Sequence, residues 1–139
     1  MTPEPNPPLV VLTFAERIVA VNAHTGERAW EFAPGMKTPY GQVRVDQGRV
    51  LFLAKGTLFC LHYVTGALLW KASVPRSIGD EPNVLAYAGC VVVMGTGEAA
   101  GFALRDGSLL WHDPFKGYGV YGGAMAAPGV ASPVDRRAG

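Results

Sequence analysis

The residues best suited to chemistry are few and lie far apart in the chain. His24, His62 and His112 show no metal-binding spacing, and Cys60 and Cys90 form no CxxC pair. Zinc sites and redox motifs depend on such spacings. We therefore expect no metal site, and we interpret the cysteines as two small buried thiols. A disulfide or a shared metal site is the alternative for this pair.

The remaining polar patterns do not match a catalytic signature. None of the serines has a Gly-x-Ser-x-Gly context, which marks the nucleophile of many hydrolases. The segment Met94-Gly-Thr-Gly-Glu98 is rich in glycine but falls at a hairpin and not before a helix. Asp80 and Glu81 are adjacent and fit a solvated loop. We predict a protein that is not an enzyme, with no catalytic residue and no cofactor.

Composition restricts the class of protein further. The chain has 139 residues, of which 49% are hydrophobic and 17% charged, with a formal net charge of +1. A disordered chain shows the opposite balance, and a nucleic-acid binder has a concentrated basic surface. No apolar run is long enough to span a membrane. We expect one folded domain, with no nucleic acid and no membrane as partner.

An internal repeat is the strongest pattern in the sequence. Segments 17–30, 57–70 and 98–111 align without gaps, and each ends in Gly-x-x-x-Trp. The three pairs are Gly26 and Trp30, Gly66 and Trp70, and Gly107 and Trp111. Repeats of about 40 residues are typical of propellers and solenoids.

Each unit is predicted to contain four short strands. In the second unit they cover residues 42–46, 50–54, 58–63 and 68–72. The pairs Lys55-Gly56 and Thr65-Gly66 separate the later strands, and glycine readily takes the positive φ of a tight hairpin. Four antiparallel strands in about 40 residues make one blade of a β-propeller. The predicted fold class is therefore all-β.

A propeller unit with Thr-Gly-x-x-x-Trp at its last hairpin resembles the PQQ-like (pyrroloquinoline-quinone-type) repeat family. The resemblance extends from about residue 9 to about residue 130. Asp106 replaces the threonine in the third unit. The aspartate expected three residues earlier is missing from every unit, where Asn22, His62 and Ala103 stand. The resemblance implies that the three tryptophans pack between neighbouring blades.

The family includes quinone-dependent dehydrogenases and also propellers without a cofactor. The dehydrogenases are several times longer and use calcium, an aspartate base and often adjacent cysteines. This sequence has no adjacent cysteine pair. The resemblance therefore implies the fold without the quinone chemistry.

The strand count gives about three blades. A proline-rich segment occupies residues 1–8, the blades residues 9–133 and a tail residues 134–139. The first unit lacks its first strand, and one extra strand near residues 124–127 follows the third unit. Because propellers have four to eight blades, we expect a head-to-tail homodimer with six blades. The segment 121–130 would supply the missing strand. A ring completed by a different polypeptide, or a fragment of a longer product, is the alternative.

The predicted function is a non-catalytic scaffold for protein–protein binding or assembly, with an unidentified protein partner. The alternatives are a sensor with a small polar molecule in the central channel and, less favoured, a remnant of a quinone-dependent dehydrogenase. Channel contacts would come from Tyr40, Gln42, Arg44, Asn83 and Tyr121. The N-terminal residues lack a signal peptide. They indicate the cytoplasm, or the periplasm or exterior if a signal peptide was removed.

Overall fold

The computed structural model describes residues 8–36, 42–78, 82–117 and 124–132. Within these ranges the chain forms thirteen strands and one short 3-10 helix. All strand pairings are antiparallel and join neighbours in sequence. The predicted all-β propeller fold is confirmed.

Three sheets form the blades, each built from consecutive strands. Blade 1 has the order β1-β2-β3, with the bounds Leu9–Thr13, Ile18–Asn22 and Arg28–Phe32. Blade 2 has the order β4-β5-β6-β7, with the bounds Val43–Asp46, Arg49–Ala54, Thr57–His62 and Leu68–Ser73. Blade 3 has the order β8-β9-β10-β11, with the bounds Asn83–Tyr87, Cys90–Gly95, Glu98–Ala103 and Leu109–Asp113. The 3-10 helix Arg76–Ile78 lies between blades 2 and 3.

The end of the described chain differs from the sequence expectation. One strand was predicted near residues 124–127, but the structure has two, β12 (Met125–Ala127) and β13 (Val130–Ser132). They form a separate hairpin, and both contact β8. By the repeat register they correspond to the first two strands of a further blade. The prediction stopped at the first because only the Tyr-Gly and closing glycine signals were aligned.

The hairpin turns explain the regular spacing of glycine. Lys55 and Gly56 have φ values of 41° and 77°, and Thr96 and Gly97 have φ values of 45° and 79°. Positive φ at both central residues defines a type I′ turn, whose twist matches that of paired strands. The glycine-rich segment around Thr96 is thus a hairpin turn, as its position in the repeat predicted.

The hydrophobic core lies between the blades. One cluster joins blades 1 and 2 around Trp30, Phe52 and Phe59. A second joins blades 2 and 3 around Trp70 and Phe102. Most buried apolar residues of a blade lie where another blade covers them, which is the behaviour of repeat proteins.

Candidate functional site

The turns before the tryptophans are held by side-chain caps. The Asn22 Oδ1 atom accepts hydrogen bonds from the backbone N–H groups of His24 and Thr25, at 2.8 and 3.2 Å. In blade 2 the His62 Nδ1 atom accepts from the N–H groups of Val64 and Thr65, at 3.2 and 3.4 Å. Asn22 and His62 thus take over the turn cap at the position where the family has aspartate.

Two tryptophans connect adjacent blades through the same contact. Trp30 Nε1 donates to the carbonyl of Tyr63 in blade 2, and Trp70 Nε1 donates to the carbonyl of Leu104 in blade 3, both at 2.8 Å. Each indole ring lies on the glycine three residues after that carbonyl. A Cβ atom at Gly66 would overlap the Trp30 ring, and one at Gly107 would overlap the Trp70 ring. The inter-blade role of these two tryptophans is therefore seen directly.

The third tryptophan has no such neighbour among the described residues. Trp111 is 42% exposed, whereas Trp30 and Trp70 are 8% and 9% exposed. It packs within blade 3 over Gly101, where an added Cβ would overlap its ring. We call the surface around it the tryptophan face of blade 3. It consists of Val92, Met94, Ala99, Gly101 and Trp111.

At the other end of the array, blade 1 has the opposite kind of surface. A Cβ at Gly26 would meet nothing within 4 Å, although Gly66 and Gly107 are covered by tryptophans. We call this surface the receiving face of blade 1. It consists of Val10, Leu12, Phe14, Val19 and Val21.

Comparison with blade 2 shows how open the receiving face is. Val10 and Leu12 are 44% and 37% exposed, whereas Val50 and Phe52, which hold the same places one repeat later, are fully buried. A groove of about 610 Å³ runs along this face. Arg17 and Glu31 form an exposed ion pair at its rim, with 3.4 Å between Nη1 and Oε2. Among the described residues, the tryptophan face of blade 3 and the receiving face of blade 1 are thus the two blade faces that no neighbouring blade covers.

Three of the five predicted channel residues come together between blades 2 and 3. Gln42 Nε2 donates to Asn83 Oδ1 at 2.6 Å, and Arg44 Nη2 donates to Gln42 Oε1 at 3.2 Å. The N–H group of Val84 also donates to Gln42 Oε1, at 3.0 Å. Burial lowers the pKa of Arg44. This half-buried polar network links the first strands of two blades.

The other two predicted channel residues, Tyr40 and Tyr121, lie outside the described residues. So do the loop carboxylates Asp80 and Glu81. A channel site built from all five residues therefore stays a prediction.

One cluster of titratable side chains was missed by the sequence interpretation. Glu98 Oε1 lies 2.8 Å from His112 Nε2 and accepts a hydrogen bond of 2.7 Å from Ser77 Oγ. The hydrogen bonds from Ser77 and His112 lower the pKa of Glu98. Ser77 and His112 each bond to the Glu98 carboxylate, and neither of these two bonds joins the serine to the histidine. A catalytic triad needs the histidine between the other two, so that it can take the serine proton.

Neither of the two cysteines forms a disulfide bond. Cys60 is buried and Cys90 half-buried, and both are free thiols. Burial raises the pKa of Cys60 to about 11, an effect that nearby Arg49 reduces. Within the described part of the chain, no group of three or more histidine, cysteine, aspartate or glutamate side chains could hold a metal ion. Nor does any described helix have the length and apolar character to cross a membrane.

Sequence comparison places most of the chain in one family model. Residues 15–123 match the model described as outer membrane protein assembly factor BamB. No curated protein matches the chain.

Solved structures show the same architecture at low sequence identity. BamB from Moraxella catarrhalis has a TM-score of 0.63 and 19% identity, over 76% of this chain and 34% of its own. The quinohemoprotein alcohol dehydrogenase from Comamonas testosteroni has a TM-score of 0.62 and 16% identity, over 76% of this chain and 19% of its own. The computationally designed Ika4 protein has a TM-score of 0.70 and 16% identity, over 89% of this chain and 77% of its own. The chain spans about a third of the length of the Moraxella protein.

Proposed function

The chain belongs to the PQQ-like β-propeller family whose model is described as outer membrane protein assembly factor BamB, and from this premise we propose that it is a non-catalytic scaffold that binds other proteins. The proposal includes an unidentified protein partner and self-association into a homodimer. Its location is proposed to be the cytoplasm, and fractionation of the source cells tests that part. The surface of the described blades supports the binding role.

The observation that carries the proposal is a pair of exposed leucines that recurs on the outer strands of blades 2 and 3. Leu68 and Leu69 on β7 and Leu109 and Leu110 on β11 are all exposed. They occupy the same two places in consecutive repeats, immediately before the tryptophan. We call these four residues the leucine rim. Each pair places two large apolar side chains in solvent next to each other in the chain, and exposed apolar patches mark interaction surfaces in soluble proteins.

The polar cluster on blade 3 is compatible with this proposal. Ser77 donates to the Glu98 carboxylate, and the hydrogen bonds from Ser77 and His112 lower the pKa of Glu98. A lowered pKa makes this carboxylate a weak base for activating a hydroxyl as a nucleophile. The cluster is better explained as a link between the 3-10 helix and strands β10 and β11.

Site-specific photo-crosslinking in the source cells tests the proposal. A photoreactive phenylalanine analogue at Leu69 or Leu110 should capture the same protein, identified by mass spectrometry. The matched control is Lys71, which is also exposed on β7 and faces the same side of the strand as Leu69. Capture at both leucines but not at Lys71 supports the scaffold role. Equal capture at all three positions, or none, contradicts it.

A second candidate function has one specific observation in its favour. Gln42, Arg44 and Asn83 form a half-buried polar network between two blades, and such convergent polar groups fix the orientation of small ligands. A small polar molecule in the channel should raise the unfolding temperature of the wild type but not of Arg44→Met. A panel in which no polar metabolite shifts the unfolding temperature counts against a sensor. Nothing among the described residues favours the third idea, a dehydrogenase remnant.

A further inference from the structure

A histidine in blade 2 caps the same two backbone groups of its turn that an asparagine caps in blade 1. Asn22 Oδ1 accepts from the N–H groups two and three residues later, and His62 Nδ1 accepts from the N–H groups in the same two places. In each turn the glycine N–H group also donates to the carbonyl of the capping residue, at 2.8 Å. The backbone bonding of the two turns is the same, and the chemistry of the cap differs.

The two caps respond differently to acid. Histidine is the side chain whose charge ordinarily changes between pH 5 and 8, whereas the amide of asparagine takes up no proton in this range. A neutral imidazole has one acceptor nitrogen, but both ring nitrogens are donors once the ring is protonated. His62 uses its acceptor nitrogen for the cap. The protonated ring can therefore make neither of the two hydrogen bonds.

The capped residues join the two points of blade 2 that Trp30 contacts. Trp30 Nε1 donates to the carbonyl of Tyr63 at 2.8 Å, and its ring lies against Gly66. Val64 and Thr65 are the two residues between these points, and their N–H groups are the ones that the cap binds. Loss of the cap therefore acts on the contact between blades 1 and 2.

The corresponding turn of blade 3 has no histidine. Ala103 stands in the place of His62, and the ring of Trp70 lies against Gly107 as that of Trp30 lies against Gly66. The two indole contacts are otherwise alike, because both Nε1 atoms donate to a backbone carbonyl at 2.8 Å. The chain thus contains its own comparison for the effect of the histidine cap.

The charged groups around His62 oppose a positive charge on its ring. Arg49 lies directly opposite His62 on β5, and Asp46 lies opposite Arg49 on β4, whereas Lys71 on β7 pairs further along the sheet with Phe59. Directly opposed side chains of antiparallel strands are about 5 Å apart at Cβ, so a protonated ring would meet the arginine cation.

The elements on the blade 3 side do not change charge in the same pH range. His62 lies on the same side of β6 as Cys60, which belongs to the cluster between blades 2 and 3. The titratable residues of the 3-10 helix and of the packed part of blade 3 are Arg76, Tyr87, Cys90, Glu98, Arg105 and Asp106. None of these residue types ordinarily changes charge between pH 5 and 8, so the histidine is the group that responds.

We propose that His62 is an acid-sensitive switch for the contact between blades 1 and 2. As the pH falls from 8 to 5, the ring takes up a proton and releases the N–H groups of Val64 and Thr65. The ring is half-buried, and it turns away from Arg49 into solvent. The turn then holds Trp30 less tightly. This switch acts whether or not the chain binds another protein, so it goes beyond the proposed scaffold function.

The turn of blade 3 indicates how large the effect should be. It has no cap at Ala103, yet Gly107 has a φ of 76°, against 77° at Gly66. The cap therefore strengthens a turn that can form without it. Loss of one ordinary hydrogen bond corresponds to a change of about 5-fold in an equilibrium constant. We expect the contact to weaken by about this factor, with blade 1 still folded.

Urea unfolding at pH 8 and pH 5 tests the switch against a matched variant. His62→Asn gives this turn the cap that Asn22 provides in blade 1. The folding equilibrium constant of the wild type, divided by that of His62→Asn, should fall about 5-fold from pH 8 to pH 5. The other two histidines, His24 and His112, are present in both proteins and cancel in this ratio. The same ratio at both pH values would overturn the proposal.

A second variant separates the cap from the packing of the ring. At pH 8, His62→Ala should lower the folding equilibrium constant about 5-fold, and His62→Asn should restore it because the amide oxygen accepts the same two hydrogen bonds. Circular dichroism shows that each variant is folded. Wild-type stability of His62→Ala, or an asparagine variant no more stable than the alanine variant, would show that the cap does not hold the turn.

Hydrogen exchange of the indole N–H groups locates the effect within the molecule. Nuclear magnetic resonance of protein with isotope-labelled tryptophan gives separate protection factors for Trp30 and Trp70. In the wild type, the protection of Trp30 relative to Trp70 should decrease about 5-fold from pH 8 to pH 5. In His62→Asn it should stay constant. A constant value in the wild type, or an equal decrease in both proteins, would overturn the proposal. Neither result depends on a protein partner, so the scaffold function is tested separately.

Discussion

Trp70 and Trp111 occupy the same place in consecutive repeats, yet their environments differ. Both follow a Gly-x-x-x spacing and both pair with the adjacent strand, Trp70 with Cys60 and Trp111 with Gly101. Trp70 is 9% exposed and Trp111 is 42% exposed. Among the described residues, a complete neighbouring blade covers Trp70, whereas none covers Trp111. In this array the stabilisation that a side chain provides depends on the blade that packs against it.

Substitution of Trp70 should cause the largest loss of stability. Trp70→Ala removes a buried indole and its hydrogen bond to Leu104, and leaves a cavity between blades 2 and 3. We expect a decrease of about 3–5 kcal/mol in the free energy of unfolding, as for other buried aromatic residues. Urea titration followed by circular dichroism measures it.

Trp111→Ala is the matched control for this prediction. In monomeric protein it should decrease the free energy of unfolding by about 1 kcal/mol or less, because a partly exposed side chain loses fewer contacts. The measurement belongs at low protein concentration, where association does not contribute. Equal losses for the two substitutions would contradict the view that the neighbouring blade makes the difference.

The turn glycines allow a second comparison between the interior and the end of the array. Gly26 and Gly66 have φ values of 75° and 77°, so alanine costs about 1–2 kcal/mol at either position through backbone strain. At Gly66 the added Cβ would also overlap the Trp30 ring, whereas at Gly26 it meets nothing within 4 Å. We expect Gly66→Ala to decrease the free energy of unfolding by about 1–3 kcal/mol more than Gly26→Ala does. Thermal and urea unfolding of the two variants measure the difference, and similar losses would mean that the indole moves aside at little cost.

The repeat made most of the fold predictable from the sequence. Blade 2 was predicted at residues 42–46, 50–54, 58–63 and 68–72, and its strands are Val43–Asp46, Arg49–Ala54, Thr57–His62 and Leu68–Ser73. The glycine turns fix the hairpins locally, so strand bounds follow from short-range signals. The burial of a side chain cannot be predicted from such short-range signals. Trp111 and Trp70 have the same local motif, and only the three-dimensional array separates them.

Side-chain contacts across blades were harder to predict. Gln42 and Asn83 lie 41 residues apart and meet because β4 and β8 are neighbours. The repeat register placed both on first strands, which is the reason they were proposed together. The Ser77, Glu98 and His112 cluster had no such signal, since Ser77 lies in the 3-10 helix outside the repeated strands.

The thiol of Cys60 reports on opening of the interface between blades 2 and 3. It belongs to the buried cluster around Trp70, and its pKa is raised from 9.0 to about 11. At pH 8 a thiol with that pKa carries about one-hundredth of the thiolate of an ordinary cysteine, and the thiolate is the reactive form. In a Cys90→Ser background we expect slow labelling by a thiol reagent, and faster labelling when Trp70→Ala is added. Unchanged rates would mean that the indole does not shield this thiol.

Substitution of Glu98 on blade 3 should change the stability least, and only at acid pH. The hydrogen bond from Ser77, followed by that from His112, lowers the pKa of Glu98 below its ordinary value of 4.5. A carboxylate with a lowered pKa in the folded state stabilises the protein above its unfolded pKa, and this contribution is lost as the pH falls through the folded value. Glu98→Gln should therefore show a flatter dependence of the urea midpoint on pH below 4.5 than the wild type. Ser77→Ala should remove part of the same dependence, because it deletes the largest cause of the shift. In blade 2 the corresponding positions are Thr57 and Lys71, which form no carboxylate cluster, so the acid sensitivity belongs to the end of the array. An unchanged pH profile in both variants would show that the cluster does not contribute to folding.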